Sequence, residues 1–378
     1  MKIGLVCPYN LFAGGGVQEG VLALQEGLQK RGHTVKIITP QPRGHNGVVA
    51  DHIILVGGST DWRSPFHTTS QVSAAVDVDA VAAVLEAEKF DVLHFHEPWV
   101  PILSRQILGR SQSVNIATFH AKLPETVMAK TIEKVITPYL RSVLKYIDAY
   151  TAVSGAAAEY LTEIAPRAKI EIIPNGIDLR KYSNPRAKAV GKNKTILYVG
   201  RLEKRKGVRY LLEAFKELKA TEPYARLVIV GDGPDRSQLE TWVAENRVTF
   251  VTFKGYVSDK EKNDLFKKAD LFCSPALYGE SFGIVLLEAM AMNKVTVAGD
   301  NPGYSSVMSG RGQLSLVNPR DTVDFARRLK LLLNDEAIRA LWRQWAKDTV
   351  PQYDYERVVE MYEGLYKKEL KRHKRPAR

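Results

Sequence analysis

Cysteine is scarce: there are two in 378 residues, Cys7 and Cys273, each within an apolar strand-like run. That argues against a disulfide framework or a cysteine-built zinc site and points to buried free thiols in a reducing compartment. No apolar run reaches the ~18 residues that a membrane-spanning helix needs. The chain opens directly on a strand pattern, Lys2 to Cys7, with no charged region leading into an apolar stretch, so secretion is not expected. The triple glycine Gly14-Gly15-Gly16 is not a Gly-x-Gly-x-x-Gly fingerprint. No acid sits cleanly at the end of the second strand-like run, which argues against a nicotinamide-dinucleotide site. Asp77-Val-Asp79 lies in a polar helix-like stretch away from any strand end. A metal-bridged diphosphate therefore has no motif to support it, and no metal ligands are assigned. Mg2+ stays compatible with phosphate chemistry but nothing in the sequence calls for it.

Acidic residues are in deficit, 42 against 54 basic ones, for a net charge of +12. Residues 367–378 supply half of that excess, with seven Lys or Arg and Glu369 as the sole acid. The tail reads either as a solvated terminus or as a patch drawn to anionic lipid headgroups, where each basic residue near the surface adds roughly 1 kcal/mol. No nucleic-acid motif accompanies it, so nucleic acid is not an expected partner.

The remaining composition, 45% hydrophobic and 25% charged, is that of an ordinary globular protein, long enough for two domains. Strand-like and helix-like stretches alternate throughout. The predicted strands of the first half are 2–8, 35–39, 91–96, 115–120, 149–154 and 170–174. Several are near-continuous apolar runs, the pattern of parallel strands buried on both faces. Between the first two, Val21, Leu24 and Leu28 mark one stripe of a helix over 17–31 that Gly32 ends. A polar stretch over 183–194, carrying Pro185 and Gly191, breaks the pattern as a linker. A second series follows, with strands at 195–199, 226–231, 248–253, 270–275 and 295–298. Its helices are expected at 207–220, 236–245, 259–268 and 282–292, then 322–334, 336–347 and 355–371. Both halves open on a strand, a glycine loop and a helix. The fold class is therefore α/β, with two Rossmann-like doubly wound domains, 1–183 and 195–353, joined by 184–194 and facing across a cleft. Ligands of such sheets bind at the carboxyl ends of the strands.

The most informative segment runs from Gly279 through Glu280, Ser281, Phe282 and Gly283 to Glu288 and Ala291. A strand-like run precedes it and an apolar helix pattern follows. Backbone N–H groups at a helix start attract an anion. Glu280 just before that start and Glu288 about two turns in make poor phosphate ligands but good acceptors for sugar hydroxyls, so the ligand carries both phosphate and sugar. Arg201 and Lys206, after one strand and before a helix, are placed to converge on a diphosphate, whose charge grows as its bond to a sugar breaks. The alternative is a solvated basic loop. Gly14 to Gly16 either let the backbone approach a diphosphate or form a plain tight turn. His120, at the end of a strand, either faces the ligand, donating to a sugar hydroxyl, or is satisfied by a neighbouring loop. His94 and His96 lack a third metal ligand and read as structural. After another strand, the backbone near Val257 and Asp259 offers an edge to a nucleobase.

In order, Cys7-Pro-Tyr9 with Gly15-Gly16-Val-Gln18, Phe90 to Pro98, Ala117 to His120, Ile173 to Asp178, Gly200-Arg201 with Lys206-Gly207, and Gly279 to Met290 resemble the retaining glycosyltransferases of family 4, which have the two-Rossmann GT-B fold. Within them the chain is most similar to the phosphatidylinositol α-mannosyltransferases, which use GDP-mannose. The resemblance covers Met1 to about Tyr366. It implies a hexosyltransferase with no tightly bound cofactor, whose donor substrate is a nucleotide-diphosphate sugar. Gly15 and Gly16 would approach the donor diphosphate, and Arg201 and Lys206 would hold it. Glu280 would bind the transferred sugar, with the backbone N–H groups of Phe282, Gly283 and Ile284 nearby. Glu288 would bind the ribose and Val257 the base, with Lys262 close to the nucleotide. His120 would contact the sugar and, with Tyr9, Gln18 and Lys122, the acceptor, a lipid-linked molecule or a saccharide. The last segment, 354–378, would cross back onto the first domain.

One departure is plain. Where those relatives carry a basic amphipathic helix, residues 77–88 here are acidic, with Asp77, Asp79, Glu86 and Glu88. The loop 57–65 also differs from the pattern around the inositol site. Basic groups stand instead at Lys122, Lys130, Lys134, Arg141, Lys145 and the tail. The expected location is cytoplasmic, with peripheral contact at the inner face of the cell membrane if the tail is used. A UDP-sugar transferase with a soluble or glycan acceptor, a nucleotide-sugar epimerase and a non-catalytic nucleotide-sugar binder are the alternatives.

Overall fold

The computed structural model describes residues 1–13, 15–43, 49–63, 69–75, 77–100, 102–121, 137–182 and 193–373. The chain divides into two compact units, Met1–Gly176 with Tyr355–Arg378, and Ile177–Asp354.

In the first unit the strands are β1 (Lys2–Val6), β2 (Thr34–Gln41), β3 (Ile53–Arg63), β4 (Thr69–Ala75), β5 (Val92–His96), β6 (Val114–Phe119), β7 (Ala149–Ala152) and β8 (Ile170–Ile172). They form one sheet in the order β4-β3-β2-β1-β5-β6-β7-β8. Every pair is parallel except β3 and β4, which run antiparallel at the edge. Buried runs such as Ile3, Leu5, Val92, Leu93 and Ile116 account for the parallel core. The edge hairpin went unrecognised in the sequence. Gly57-Gly58 and the polar run that follows break the apolar pattern along β3, and β4 is mostly Ser, Thr, Gln and Ala.

In the second unit β9 (Thr195–Val199), β10 (Arg226–Val230), β11 (Val251–Gly255), β12 (Leu271–Ser274), β13 (Thr296–Gly299) and β14 (Leu316–Val317) make a sheet in the order β11-β10-β9-β12-β13-β14, with parallel pairing throughout. Strand order reverses between β1 and β5 in one sheet and between β9 and β12 in the other. Loops at the carboxyl ends of such neighbouring strands diverge to opposite faces and leave a crevice where ligands of this architecture bind.

The chain's last long helix, Tyr355–His373, returns to the first unit. Val358, Val359, Tyr362, Leu365 and Tyr366 join the core built by Ile3, Leu5, Leu24 and Leu28. Glu363 fixes the docking at its margin, binding Arg31 at 2.7 Å and His33 at 2.9 Å. Its neighbour Lys367, together with His33 and Arg31, holds its pKa down to about 2 against the upward push of burial. Both cysteines are buried free thiols. Among the described residues no helix is long and apolar enough to cross a membrane.

Candidate active site

In the second unit the loops after β9 and β12, on either side of the strand-order reversal, carry the charges singled out in the sequence. Beyond β9 the chain makes a 3-10 turn, Lys204–Lys206, closed by Gly207. Beyond β12 it runs through Gly279 and Glu280 into the helix Ile284–Ala291. The two loops are stitched together by the Leu277 N–H donating to the Arg205 carbonyl at 2.8 Å. The helix begins at Gly283, whose φ of 109° suits glycine. A Cβ there would lie 2.7 Å from the Tyr304 ring, so an added side chain would meet strain and collision together. Phe282 packs its ring edge-on against Tyr353 and is 4% exposed. What this loop offers outward is therefore backbone: the leading N–H groups of a helix have no partner within it. Ile284 is the first helical residue.

Lys206 and Glu280 meet in this site. The Lys206 Nζ donates to Glu280 Oε1 at 2.6 Å, and Arg205 Nη1 donates to the same oxygen at 2.8 Å. No described residue donates a hydrogen bond to Glu280 Oε2. Arg205 was not singled out in the sequence, where it is one of three consecutive basic residues. The turn alone decides that it points inward while Lys204 is exposed. Arg201 is placed differently. Its side chain is half exposed, and its Nε lies 3.9 Å from the buried Glu203 carboxylate, so in this structure it does not reach Lys206's partner.

Glu288 shows the same one-sided pattern as Glu280. Lys262 Nζ and the Tyr182 hydroxyl both donate to its Oε1 at 2.9 Å, while no described residue reaches Oε2. Burial works against the charge on Lys262, but the carboxylates of Glu288 and Asp259 outweigh it and hold the ammonium pKa up. Lys262 stands on the helix Asp259–Lys268, which Ser258 caps by accepting from the Glu261 N–H at 3.2 Å. Val257 lies just before that cap, partly buried, where β11 gives way to the helix. Glu288 is the fifth residue of its helix, one turn in rather than the two expected, because the helix starts at Ile284.

In the first unit, β1 leads through a short 3-10 turn to the helix Gly16–Lys30. Gly15 caps it at φ 142°, and a Cβ there would lie 2.7 Å from the Gln18 side chain. Gln18 Nε2 lies 3.4 Å from the Asn10 carbonyl. Tyr9 forms an isolated antiparallel bridge with Val72, and its phenol is pushed well up by burial and then by Glu97.

His120 follows β6 directly and is enclosed by polar groups that the sequence did not identify as a set. Its Nε2 lies 2.9 Å from His96 Nδ1, and its own N–H donates to Glu97 Oε1 at 2.6 Å. Asn175 hydrogen-bonds its side chain. Burial pulls the imidazole pKa down to about 4, and that of His94 to about 3. Burial also raises the Glu97 carboxyl to about 8, against the pull of the N–H groups of His120 and Ala121. His94 Nδ1 pairs with the Tyr366 hydroxyl at 2.7 Å, and its Nε2 with Thr118 at 2.6 Å. Both ring nitrogens of His94 are thus engaged within the fold. Among the described residues no three His, Cys, Asp or Glu are grouped to hold a metal ion.

Several sequence candidates lie outside the described residues: Gly14, Lys122, Lys130, Lys134, most of the linker 184–194 and the last residues of the tail, 374–378.

Two family descriptions match successive parts of the chain: glycosyltransferase family 4 over residues 14–181 and glycosyl transferases group 1 over residues 181–349. The phosphatidyl-myo-inositol mannosyltransferase of Mycolicibacterium smegmatis is 31% identical over 384 residues, covering 97% of this chain and 94% of that protein. The protein of the same name from Propionibacterium freudenreichii is 32% identical over 82% of this chain and 80% of its own length. Sucrose-phosphate synthase from Thermosynechococcus elongatus shares the fold, with a TM-score of 0.78 at 20% identity over 97% of this chain and 98% of that one. The two parallel sheets, the helix that returns to the first unit and these matches place the chain in glycosyltransferase family 4, with the GT-B fold.

Proposed function

We propose that the protein is a retaining glycosyltransferase that moves mannose from GDP-mannose to a lipid-linked or saccharide acceptor. The observation that carries this reading is the pair of loops after β9 and β12, which bring Lys206, Arg205 and Glu280 together beside a helix start. Lys206 and Arg201 take the donor diphosphate, with the backbone at Gly15 and Gly16 and the N–H groups of Phe282, Gly283 and Ile284. These charges act most strongly on the leaving diphosphate, where negative charge grows in the transition state. Glu280 accepts from hydroxyls of the transferred sugar through Oε2. Glu288 accepts from the ribose, Lys262 lies at the nucleotide, and the backbone at Val257 reads the base. His120, Tyr9, Gln18 and Lys122 form the acceptor side. Both glutamates are already tied to cations or a phenol, which suits them to binding and leaves neither as an obvious nucleophile for double displacement. Retention then follows from attack on the face the diphosphate leaves, with the leaving phosphate oxygen taking the acceptor hydroxyl's proton. We place the protein in the cytoplasm, with peripheral membrane contact through residues 367–378.

One observation favours a second reading on the acceptor side, a soluble or glycan acceptor in place of a lipid. The helix Val78–Glu88 carries Asp79, Glu86 and Glu88 and is capped by Asp77. Glu88 is bound by Lys2 at 2.7 Å and Lys36 at 2.6 Å, so two of the nearby cations are spent on this helix rather than on lipid.

A thermal-shift panel of GDP-mannose, GDP-glucose, UDP-glucose and UDP-N-acetylglucosamine tests the donor. Mass spectrometry of products with phosphatidylinositol and with simple sugars tests the acceptor. GDP-mannose should raise the melting temperature most and add one hexose to an acceptor. Stabilisation by UDP-sugars alone overturns the GDP-mannose donor. An isomerised donor without acceptor marks an epimerase, and binding without turnover or slow donor hydrolysis marks a sensor.

A further inference from the structure

We infer that Arg205 is a positioning residue for Glu280: its guanidinium, braced on Glu203, holds the Glu280 carboxylate in place so that Lys206 is free to move to the donor diphosphate while Glu280 Oε2 meets the sugar. The inference rests on the sugar-binding role proposed for Glu280.

Two cations share one carboxylate oxygen. Arg205 Nη1 reaches Glu280 Oε1 at 2.8 Å and Lys206 Nζ reaches it at 2.6 Å. All three side chains are largely buried, Glu280 at 12%, Arg205 at 15% and Lys206 at 17% exposed. If Lys206 were the sole partner, its departure to a diphosphate would leave a buried carboxylate uncompensated, which is costly. With Arg205 present the carboxylate keeps a charged partner throughout. Lysine and arginine are suited to these different tasks: the ammonium is a mobile point charge, whereas the guanidinium is a flat fork that can be locked at several points.

Arg205 is locked in this way. Nη1 also donates to the Gly279 carbonyl at 3.2 Å, and Nη2 lies 2.7 Å from Glu203 Oε1. Glu203 is 5% exposed, and neither of its buried oxygens has a hydrogen bond of good geometry, so its close approach to Arg205 is its main polar contact there. Burial opposes the charge on Arg205, yet Glu280 and Glu203 together raise its pKa. The backbone is pinned as well, since the Arg205 carbonyl accepts from Leu277 N–H at 2.8 Å. The result is a Glu203–Arg205–Glu280 line with a fixed centre, and Lys206 attached at one end.

The test compares the full-length wild type with Arg205→Gln, Arg205→Lys, Glu203→Gln and, as a control, the exposed Lys204→Gln. Calorimetry with GDP and with GDP-mannose, and kcat and KM for GDP-mannose, are measured on each. GDP lacks the sugar, so Arg205→Gln should bind it within about two-fold of the wild type while GDP-mannose binding and kcat fall roughly 10- to 100-fold, the range for losing a charged hydrogen-bonding partner. Arg205→Lys should recover part of the loss and Lys204→Gln should match the wild type. Glu203→Gln should shift the same two quantities in the same direction by less, and it carries the comparison if Arg205→Gln does not fold. Unchanged kcat and GDP-mannose affinity in Arg205→Gln, or equal losses for GDP and GDP-mannose, overturn the inference alone. A wild type that neither binds nor turns over GDP-mannose overturns the donor reading and this inference with it.

Discussion

His96 Nδ1 lies 2.9 Å from His120 Nε2, and the two rings stack at a centroid distance of 5.2 Å with 25° between their planes. One nitrogen must donate and the other accept, so the pair is held as neutral imidazoles in matched tautomers. The buried Glu97 carboxyl beside them accepts the His120 N–H.

This cluster fixes a pH dependence of stability. Histidines at positions 94, 96 and 120 have folded pKa values depressed below their unfolded values, chiefly by burial. The unfolded chain therefore binds more protons below pH ~6.5, and stability falls as pH drops from there towards 4. Glu97 acts in the opposite sense, because its carboxyl is raised to about 8 and the folded chain holds its proton where the unfolded chain does not. Stability from that group is full below the unfolded carboxyl pKa and is lost as pH rises through 8. Three histidines outweigh one carboxyl on the acid side, so the melting temperature should peak near neutrality. Each unbalanced proton changes stability by about 1.4 kcal/mol per pH unit. Glu97→Gln should flatten the alkaline limb and steepen the acid limb, where the carboxyl no longer opposes the histidines; melting curves from pH 4.5 to 9 measure both.

Glu288 gives a ligand-based test. If Oε2 accepts a ribose hydroxyl, removing either partner should cost a charged hydrogen bond, roughly 10- to 100-fold in affinity. The wild type should bind GDP that much more tightly than 2′,3′-dideoxy-GDP. Glu288→Ala should bind the two alike. A preference that survives in Glu288→Ala would assign the ribose to another residue.

Gly303 controls the Glu280 loop from the far side. A Cβ there would lie 2.1 Å from the Glu280 carbonyl oxygen and 2.9 Å from the Phe282 nitrogen, both backbone atoms. Asn301 caps the short helix Pro302–Val307, accepting from the Tyr304 N–H at 3.0 Å, and also donates to the Ala276 carbonyl at 3.0 Å, so the segment has little room to shift. Gly303→Ala should destabilise by about 1–3 kcal/mol, the usual cost of overpacking, and should weaken GDP-mannose binding more than GDP binding. Equal affinities for both ligands would show that the clash is absorbed away from Glu280.

The basic tail makes a separate prediction. Deleting residues 367–378 removes six net positive charges, seven basic residues less Glu369. Lys367 and Arg372 are already paired, with Glu363 at 2.6 Å and Glu369 at 2.9 Å. Flotation with anionic vesicles should fall on deletion, and wild-type binding should weaken as salt screens the charges. Salt-insensitive binding that survives deletion would place membrane contact elsewhere.

Much of this architecture was legible because parallel strands announce themselves as apolar runs, as in Leu227–Val230 and Leu271–Cys273. The hairpin β3–β4 was not, since an edge pair of polar and small residues has no such run. Within the site, Glu280, Glu288 and Lys206 stood out through their spacing around glycine loops. Arg205 did not, because Lys204, Arg205 and Lys206 are chemically alike in sequence and only the backbone turn distinguishes them. Glu97 was hidden for a related reason: an acid beside two histidines reads as surface, and its 1% exposure comes from β5 and β6 closing over it. Charge and periodicity are written in the chain, whereas burial of a polar group is a property of the packed fold.

We propose that Glu280 and Lys206 serve donor chemistry in one site. The most direct test is release of GDP from GDP-mannose with an acceptor present, in the wild type, Glu280→Ala and Lys206→Ala, each checked for folding by circular dichroism. The wild type should turn over, and both folded variants should lose at least ~100-fold in kcat/KM, in line with removing a group that stabilises developing charge. Full activity in both variants would remove Glu280 and Lys206 from the donor site.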